Sequence, residues 1–227
     1  MYHSVAENGD ALTVKPASFE EHLDYLQRAG FTTVTLQQVI AHEDGRASLP
    51  AHPIVLTFDD GYEDAYGTAL PQLQARGMKA TFFLVSSFLG PDAQHRRTEG
   101  GKGFLIWQEA LALRDAGMEI GSHTVHHRKL TDLPVHDRRV ELEQSKKDLE
   151  SGLAQPVLFF AYPFTSQHFR ARSAVRNAGY RAAVAGAHGG GDRYQLQRIT
   201  VHRFTTVGDL RDLLGESWAT GLTTGGG

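Results

Sequence analysis

Two groups of polar side chains in this sequence have the types and spacing of residues that bind a metal ion. The adjacent carboxylates of Asp59 and Asp60 lie just beyond an apolar run at residues 54–56, which is typical of a buried strand. Gly61 lets the chain turn sharply there, because glycine adopts positive φ without steric cost. Two carboxylates held at a strand end repel each other unless a cation or a shared proton relieves them. The dipeptide alone would more often be an Asp-Asp-Gly surface turn.

The second group is a set of three histidines, His123, His126 and His127, that follows a predicted strand at residues 118–120. On one helical turn, the four-residue spacing of His123 and His127 brings their Cβ atoms within about 5–6 Å. Two imidazoles so placed can bind one divalent ion, and a carboxylate from elsewhere completes the set. A lone buried histidine is more often structural, but three beside an aspartate pair favour metal binding. His126 is not expected to be a ligand, because adjacent residues project differently from the backbone.

Three motifs carry a resemblance to a known family. They are TFDDG at residues 57–61, HTVHH at residues 123–127 and AYPF at residues 161–164. They resemble the first three motifs of the polysaccharide deacetylases, the NodB-homology group or carbohydrate esterase family 4. The similarity extends from Tyr2-His3 to Arg198-Ile199, which is nearly the whole chain. TFDDG with His-Thr-x-x-His is a specific combination, whereas the Tyr-Pro motif alone would be weak.

The resemblance implies a role for individual residues of these motifs. Asp60, His123 and His127 are expected to hold one divalent metal ion. One carboxylate and two imidazoles favour Zn²⁺, with Co²⁺ or Ni²⁺ as alternatives. Asp59 is expected to be the general base that takes a proton from the attacking water. The backbone N–H of Phe164 is expected to help hold the oxyanion.

The same resemblance points to residues that would contact the substrate. Tyr162 and Pro163 of the third motif are expected to shape the sugar-binding groove, together with Tyr62 beside the aspartate pair. For Tyr162 and Pro163 a second interpretation stays open, in which they form a rigid turn with a packed ring.

The sequence departs from the family pattern at three positions. Ala161 stands where many members carry an arginine that orients the catalytic aspartate, and Arg198 or Arg203 could replace it from another strand. Thr165 replaces a glycine that is common after the third motif. His126 stands where a small polar residue is usual.

The proton donor is the residue whose place in the chain is unusual. Members of the family usually end with a Leu-x-His motif whose histidine protonates the departing amine, and His202 is only a poor match to it. Met1-Tyr2-His3 instead resembles a strand-end motif of the circularly permuted branch that acts on poly-N-acetylglucosamine. His3 is therefore expected to be the general acid, opposite Asp59. The alternatives are a histidine in a frayed terminus, or His202 as the acid.

The elements that must position these residues alternate between strands and helices, with about eight strands, which predicts an α/β fold with a parallel sheet. Polar residues directly after strands would then converge at the carboxyl end of a barrel. The resemblance adds that this barrel is distorted and incomplete, a (β/α)7-8 barrel of NodB type. One domain is predicted over residues 1–222, followed by a disordered tail at residues 223–227.

Local patterns predict several of these elements in detail. Capping boxes at Ser18-Phe19-Glu20-Glu21 and Thr35-Leu36-Gln37-Gln38 predict two helix starts. A loop at residues 86–103 is long enough to form part of the rim of the site. The charged residues of a long helix at residues 135–151, Arg138 among them, are expected to form a solvated face. The last strand is expected at residues 198–203, before a helix at residues 207–214.

Composition excludes several classes of protein. The net charge of the 227 residues is −3 and the basic residues are scattered, which argues against a nucleic-acid partner. No apolar run approaches the length of a membrane span. With no cysteine, disulfides and thiolate ligands are excluded. The resemblance implies a bacterial periplasmic, cell-surface or secreted location, although the sequence shows no signal peptide and opens like the end of a strand, which leaves an earlier native start open.

The predicted function is metal-dependent removal of N-acetyl groups from N-acetylglucosamine units of a polysaccharide. The polymer could be poly-N-acetylglucosamine, chitin or peptidoglycan. One alternative is an O-deacetylase, such as a xylan esterase, that uses the same residues. Another is a carbohydrate-binding module that has kept the fold and lost turnover. Ala161 permits the binding module, but the intact aspartate and histidine motifs oppose it.

Overall fold

The structure is a computed structural model that describes residues 1–188, 190 and 192–215. The strands within these residues are β1 (Ser4–Val5), β2 (Thr13–Val14), β3 (Thr32–Thr33), β4 (Pro53–Ile54), β5 (Thr57–Phe58), β6 (Thr81–Leu84), β7 (Thr98–Glu99), β8 (Lys102–Gly103), β9 (Glu119–Ser122), β10 (Phe159–Ala161) and β11 (Ala182–Val184). The α-helices are α1 (Pro16–Arg28), α2 (Leu36–Glu43), α3 (Leu70–Ala75), α4 (Trp107–Asp115), α5 (Val135–Leu153), α6 (Phe169–Asn177) and α7 (Val207–Leu214). A π-helical turn at Ala65–Ala69 leads into α3.

A five-stranded parallel sheet, in the order β11-β10-β9-β6-β5, forms the centre of the molecule. The side chains of Phe82, Phe83 and Leu84 in β6 are all fully buried. Because successive residues of a strand point to opposite faces, both faces of the sheet are covered. The strand predicted at residues 118–120 corresponds to β9. The apolar run at residues 54–56 is not the predicted buried strand, because it overlaps only β4, at Ile54, and ends before β5 begins.

Extended chain at both edges curls this sheet into a distorted barrel. At one edge, Tyr2 pairs in parallel with Phe58 of β5. At the other edge, Leu196 pairs in parallel with β11. The chain after Leu196 then returns to the first residues, where the N–H of Val201 donates to the carbonyl of Met1 over 2.9 Å. The predicted α/β fold class, a distorted parallel barrel, is confirmed.

One of the two predicted capping boxes is correct. The N–H of Gln38 donates to the Thr35 hydroxyl and the N–H of Thr35 donates to the Gln38 side chain, so that α2 begins as expected. The box at Ser18 is wrong, because α1 begins at Pro16 with Lys15 as its N-cap. Proline has a fixed φ that suits the first turn of a helix, and it moves this start upstream.

The prediction that the charged residues of α5 form a solvated face is also wrong for Arg138 and Glu141, which are buried. Arg138 is buried, and its guanidinium donates to the carbonyls of Leu130 and Leu133 at 2.8 Å each. These carbonyls belong to the short turn before α5 and need donors, because buried backbone groups are almost always paired. Arg139 and Glu143 are exposed as expected.

Two predicted segments differ from their observed structure. Residues 86–103 were expected to be a loop, but they contain two 3₁₀ turns and the antiparallel hairpin β7–β8. Residues 198–203 are not a strand, because they make only isolated backbone hydrogen bonds, such as that of Arg198 with Gly186 and that of Val201 with Met1. The predicted tail at residues 223–227 lies outside the described residues. In the described part of the chain, no helix combines the length and apolar character that a membrane crossing requires.

Candidate active site

Asp60, His123 and His127 lie together at the carboxyl end of the barrel. One potential ligand atom from each residue lies within 4.8 Å of the others. Oδ1 of Asp60 is 3.4 Å from Nε2 of His123 and 3.3 Å from Nε2 of His127. This oxygen is buried and accepts no hydrogen bond from any described residue. A buried carboxylate oxygen of this kind needs a partner, and a cation between the three groups would supply it.

The orientation of His123 fits the same arrangement. Its Nδ1 lies 2.8 Å from the carbonyl of Ala161 and donates to it, because a carbonyl oxygen can only accept. The proton therefore lies on Nδ1, and the lone pair of Nε2 points to Asp60. Burial opposes a charge on His123, but the carboxylates of Asp60 and Asp59 outweigh it and raise the pKa of the imidazole. The same negative potential attracts a metal cation.

His127 reaches the site from a loop and not from a helix, so the predicted helical turn is wrong. His123 still belongs to the sheet, since its N–H donates to the carbonyl of Leu84 next to β9. Thr124 and His127 then adopt positive φ angles of 73° and 56°, which turn the chain back on itself. The ring centroids of His123 and His127 are 4.9 Å apart. Burial, followed by the neighbouring His123, lowers the pKa of His127 to about 4, which keeps it neutral as a ligand must be.

Left-handed backbone is concentrated at this end of the barrel. Five of the six non-glycine residues with positive φ in the described chain lie in the three motifs or directly after them: Asp60, Thr124, His127, Phe164 and Thr165. Each such residue costs about 1–3 kcal/mol and persists only when its surroundings enforce it. Such residues cluster at active sites, because the strained backbone aims side chains that a relaxed one would not.

Asp59 is held by Arg198, which settles the choice between two candidate arginines. Both side chains are buried, and two guanidinium nitrogens of Arg198 lie 2.7 Å from the two carboxylate oxygens of Asp59. Arg203 instead donates to the backbone carbonyls of Thr13 and Glu7. Burial alone would raise the pKa of Asp59, but Arg198 outweighs it and holds the pKa well below its usual range. Asp59 is therefore ionised and fixed in one orientation.

His3 lies beside the aspartate pair and directly follows the residue that pairs with β5 at the edge of the sheet. Tyr2 pairs with Phe58, and the N–H of Asp59 donates to the carbonyl of Tyr2 over 3.0 Å. This register places His3 level with Asp59 at the mouth of the barrel. Nδ1 of His3 is buried and has no hydrogen-bond partner among the described residues. Burial lowers the pKa of His3, although the carboxylates of Asp59 and Asp60 act in the opposite direction.

His202, the other candidate acid, is exposed, and its backbone N–H donates to the hydroxyl of Thr205. It lies in an irregular segment after the barrel closes. The structure thus brings His3 to the aspartates and leaves His202 at the surface.

A cavity of about 350 Å³ opens above Asp60 and His127. Its aromatic lining consists of Tyr62, Phe88, Phe104 and Phe164. The ring of Tyr62 stacks on Phe104 at 5.0 Å, and the exposed ring of Phe164 lies 4.7 Å from His127. The β7–β8 hairpin contributes to the same cavity, so the segment predicted at the rim does lie there.

Tyr162 and Pro163 do not line this cavity. Tyr162 is fully buried, and its hydroxyl donates to the carbonyl of Tyr194 over 2.8 Å. Pro163 is buried as well and begins a 3₁₀ turn. The geometry therefore corrects their assignment to the groove and agrees with the packed-ring interpretation. The part of the third motif that reaches the cavity is Phe164.

Sequence reasoning missed one residue that contacts the histidine loop. Glu141 of α5 is buried, and its carboxylate lies 2.8 Å from Nδ1 of His126. The only available signal was the unusual histidine at position 126, which needed a partner. The sequence of a highly charged helix does not show which of its glutamates faces the interior.

Comparisons with known proteins point to one family. The family model described as polysaccharide deacetylase matches residues 46–183. YxkH of Bacillus subtilis (strain 168), whose name classes it provisionally as a polysaccharide deacetylase, is 30% identical over 207 residues, which cover 88% of this chain and 70% of YxkH. The poly-β-1,6-N-acetyl-D-glucosamine N-deacetylase of Escherichia coli (strain K12) is 29% identical over 119 residues, or 50% of this chain and 18% of that protein.

A solved structure shows the same fold. The Streptococcus pyogenes deacetylase PplD, in complex with acetate, matches with a TM-score of 0.81 at 22% sequence identity. The match covers 93% of this chain and 95% of that chain.

Proposed function

Because the chain belongs to the polysaccharide deacetylase family, we propose that it is a metal-dependent N-deacetylase of N-acetylglucosamine units in a polysaccharide. The observation that carries the proposal is the convergence of Asp60, His123 and His127 around a buried carboxylate oxygen without a partner. Asp59 and His3 lie beside these residues, so candidate ligands and candidate proton carriers occupy one site.

The three ligand residues would hold one divalent ion. The carboxylate and the two imidazoles favour Zn²⁺, and Co²⁺ or Ni²⁺ would also suit them. When bound, such an ion lowers the pKa of a water molecule and polarises the acetyl carbonyl. The hydrogen bond from His123 to the Ala161 carbonyl fixes the imidazole that would face the ion.

The proton transfers fall to Asp59 and His3. Asp59 is ionised, and the two hydrogen bonds from Arg198 point its carboxylate in one direction, so it can accept a proton from water. An amine leaves only when it is protonated, and His3 is proposed to donate that proton. The backbone N–H of Phe164, in its left-handed turn beside His127, is proposed to hold the developing oxyanion.

The cavity supports a sugar substrate. Rings of Tyr62 and Phe164 lie at its walls, and aromatic side chains pack well against the apolar face of a pyranose. The E. coli relative acts, by its name, on poly-β-1,6-N-acetyl-D-glucosamine, and we propose a polymer of this class as the substrate. A polymer of this kind is extracellular, so the proposal includes a periplasmic, cell-surface or secreted location, which fractionation of the source cells tests.

Acetate release tests the proposal. Protein reconstituted with Zn²⁺ should release acetate from oligomers of β-1,6-N-acetylglucosamine, and removal of the metal with a chelator should abolish the release. Acetylated xylan, assayed in parallel, separates amide from ester hydrolysis. Release from xylan alone would identify an O-deacetylase, and binding of the oligomers without any release would identify a carbohydrate-binding module.

A further inference from the structure

Glu141 contacts the loop between His123 and His127 at three points. Its Oε2 accepts hydrogen bonds from the backbone N–H groups of Val125 and His126, both at 2.9 Å. Its Oε1 lies 2.8 Å from Nδ1 of His126. The side chain of Glu141 is only 3% exposed, and its hydrogen bond from Val125 is buried, whereas the two contacts with His126 are partly buried.

The loop needs such a partner because of its backbone. Thr124 and His127 both adopt positive φ, and the two N–H groups between them point towards α5 instead of a neighbouring strand. A buried N–H without an acceptor is destabilising, and hydrogen bonds to a carboxylate are among the strongest available. On the opposite side, the N–H groups of Ser86 and Ser87 donate to the carbonyls of Thr124 and Val125.

We infer that Glu141 is a positioning residue that fixes the spacing of the two imidazoles. It touches neither the ligand atoms nor the cavity, and it acts by enforcing the left-handed turns that bring His127 back towards His123. The inference rests on the proposed function only in taking these imidazoles as metal ligands. His126 supplies the side-chain contact of Glu141, at a position where a small polar residue is usual in the family.

The chain contains a matched control for Glu141 at the other end of the barrel. Glu119 is a largely buried glutamate whose oxygens accept from the consecutive N–H groups of Leu36 and Gln37, both at 2.9 Å. The hydroxyl of Thr81 donates to it as a third partner over 2.7 Å. Both glutamates therefore join two backbone donors and one side chain, but only Glu141 holds the histidine loop.

The first experiment titrates Zn²⁺ into the full chain after removal of bound metal, with a competing chelator to set the free concentration. Glu141→Ala should weaken Zn²⁺ binding about 10–100-fold, the range that is usual for partners that orient ligands. Glu119→Ala should bind Zn²⁺ as the wild type does, although it is destabilised. Glu141→Gln should restore most of the affinity, because its amide oxygen can still accept from both N–H groups.

The second experiment measures hydrogen exchange of the loop in the metal-free proteins. Glu141→Ala should lose protection at residues 124–127, and Glu119→Ala should lose it at residues 36–37. If Glu141→Ala does not fold, Glu141→Asp takes its place, since the shorter side chain keeps the charge and withdraws from the loop.

The outcomes separate the inference from the proposed function. Wild-type affinity for Zn²⁺ in Glu141→Ala or Glu141→Asp, or an equal loss in Glu119→Ala, would overturn the positioning role. A wild-type protein that binds no Zn²⁺ would overturn the proposed function instead. The exchange measurement would still decide in that case whether Glu141 holds the loop.

Discussion

The two ends of the barrel treat their buried polar groups differently. At the amino end, the buried carboxylate of Glu119 has three hydrogen-bond donors around it, and it supports the start of α2. At the carboxyl end, Asp60, His3 and Thr124 each keep a buried polar atom without a hydrogen-bond partner in the described chain. Buried polar groups stabilise a fold when they have hydrogen-bond partners, whereas a ligand-binding site keeps polar groups whose partner is the ligand. The second end is therefore the one that is built to bind a ligand.

The adjacent aspartates show the same contrast at a distance of one residue. The negative charge of Asp59 is balanced by the bidentate ion pair with Arg198. Oδ1 of Asp60 instead faces two imidazole nitrogens at 3.3 and 3.4 Å. One carboxylate is held in place by the protein and the other is left for a ligand.

The largest effect is expected from removing both imidazoles. The double variant His123→Ala, His127→Ala should purify without bound zinc, because a single carboxylate is left where zinc usually takes at least three protein ligands. Elemental analysis of protein purified without chelator measures this directly, with His202→Ala as the control that keeps one metal per chain. Undiminished zinc in the double variant would show that the metal site lies elsewhere.

The second prediction separates the two aspartates. Asp59→Asn should bind Zn²⁺ almost normally but lose about 10²–10⁴-fold in kcat, the usual contribution of a general base. Asp60→Asn should lose Zn²⁺ affinity, because it gives up the charged ligand. Zn²⁺ affinity and kcat are measured for both variants. The melting temperature shows whether Asp59→Asn, which removes the charged partner of Arg198, destabilises the fold. If both variants lose Zn²⁺ affinity to the same extent, or both lose only kcat, the two carboxylates do not have the separate roles of general base and metal ligand.

The third prediction concerns the proton donor. His3→Ala should keep its fold and its metal but lose about 10²-fold or more in kcat, because the amine must then leave without its acid. His202→Ala should be mild, since that side chain is exposed. The two kcat values, measured at equal metal content, decide between them. The reverse result would place the general acid in the chain that follows the barrel.

The sequence was sufficient to predict the parts of the site that depend on strand ends. Apolar runs predicted the parallel strands, and parallel strands bring Asp60 and His123 to one edge whatever the details of the loops. The role of Thr35 as the N-cap of α2 was predictable, because a helix cap is an interaction between residues close in sequence.

Residues that act over long sequence separations could not be predicted. Arg198 lies 139 residues from its partner Asp59, and nothing local distinguished it from Arg203. Glu141 and Arg138 are charged residues of a charged helix, and the periodicity of such a helix does not show which of them turns inward. The family resemblance assigned Tyr162 to the groove and left a packed ring as the second interpretation, and the alternation of side chains at the strand end points this ring into the core.

The smallest effect is expected at the amino end, and it tests whether the two ends are independent. Thr35→Ala removes the side-chain acceptor for the N–H of Gln38, which should lower the free energy of unfolding by about 1 kcal/mol. Thr35→Ser keeps a hydroxyl cap and should recover most of that loss. Urea unfolding measures the stability, and Zn²⁺ affinity and kcat of both variants should equal those of the wild type, because sites so far apart usually contribute additively. A fall in Zn²⁺ affinity in Thr35→Ala that Thr35→Ser reverses would mean that the end of the barrel built for stability also holds the ligands in place.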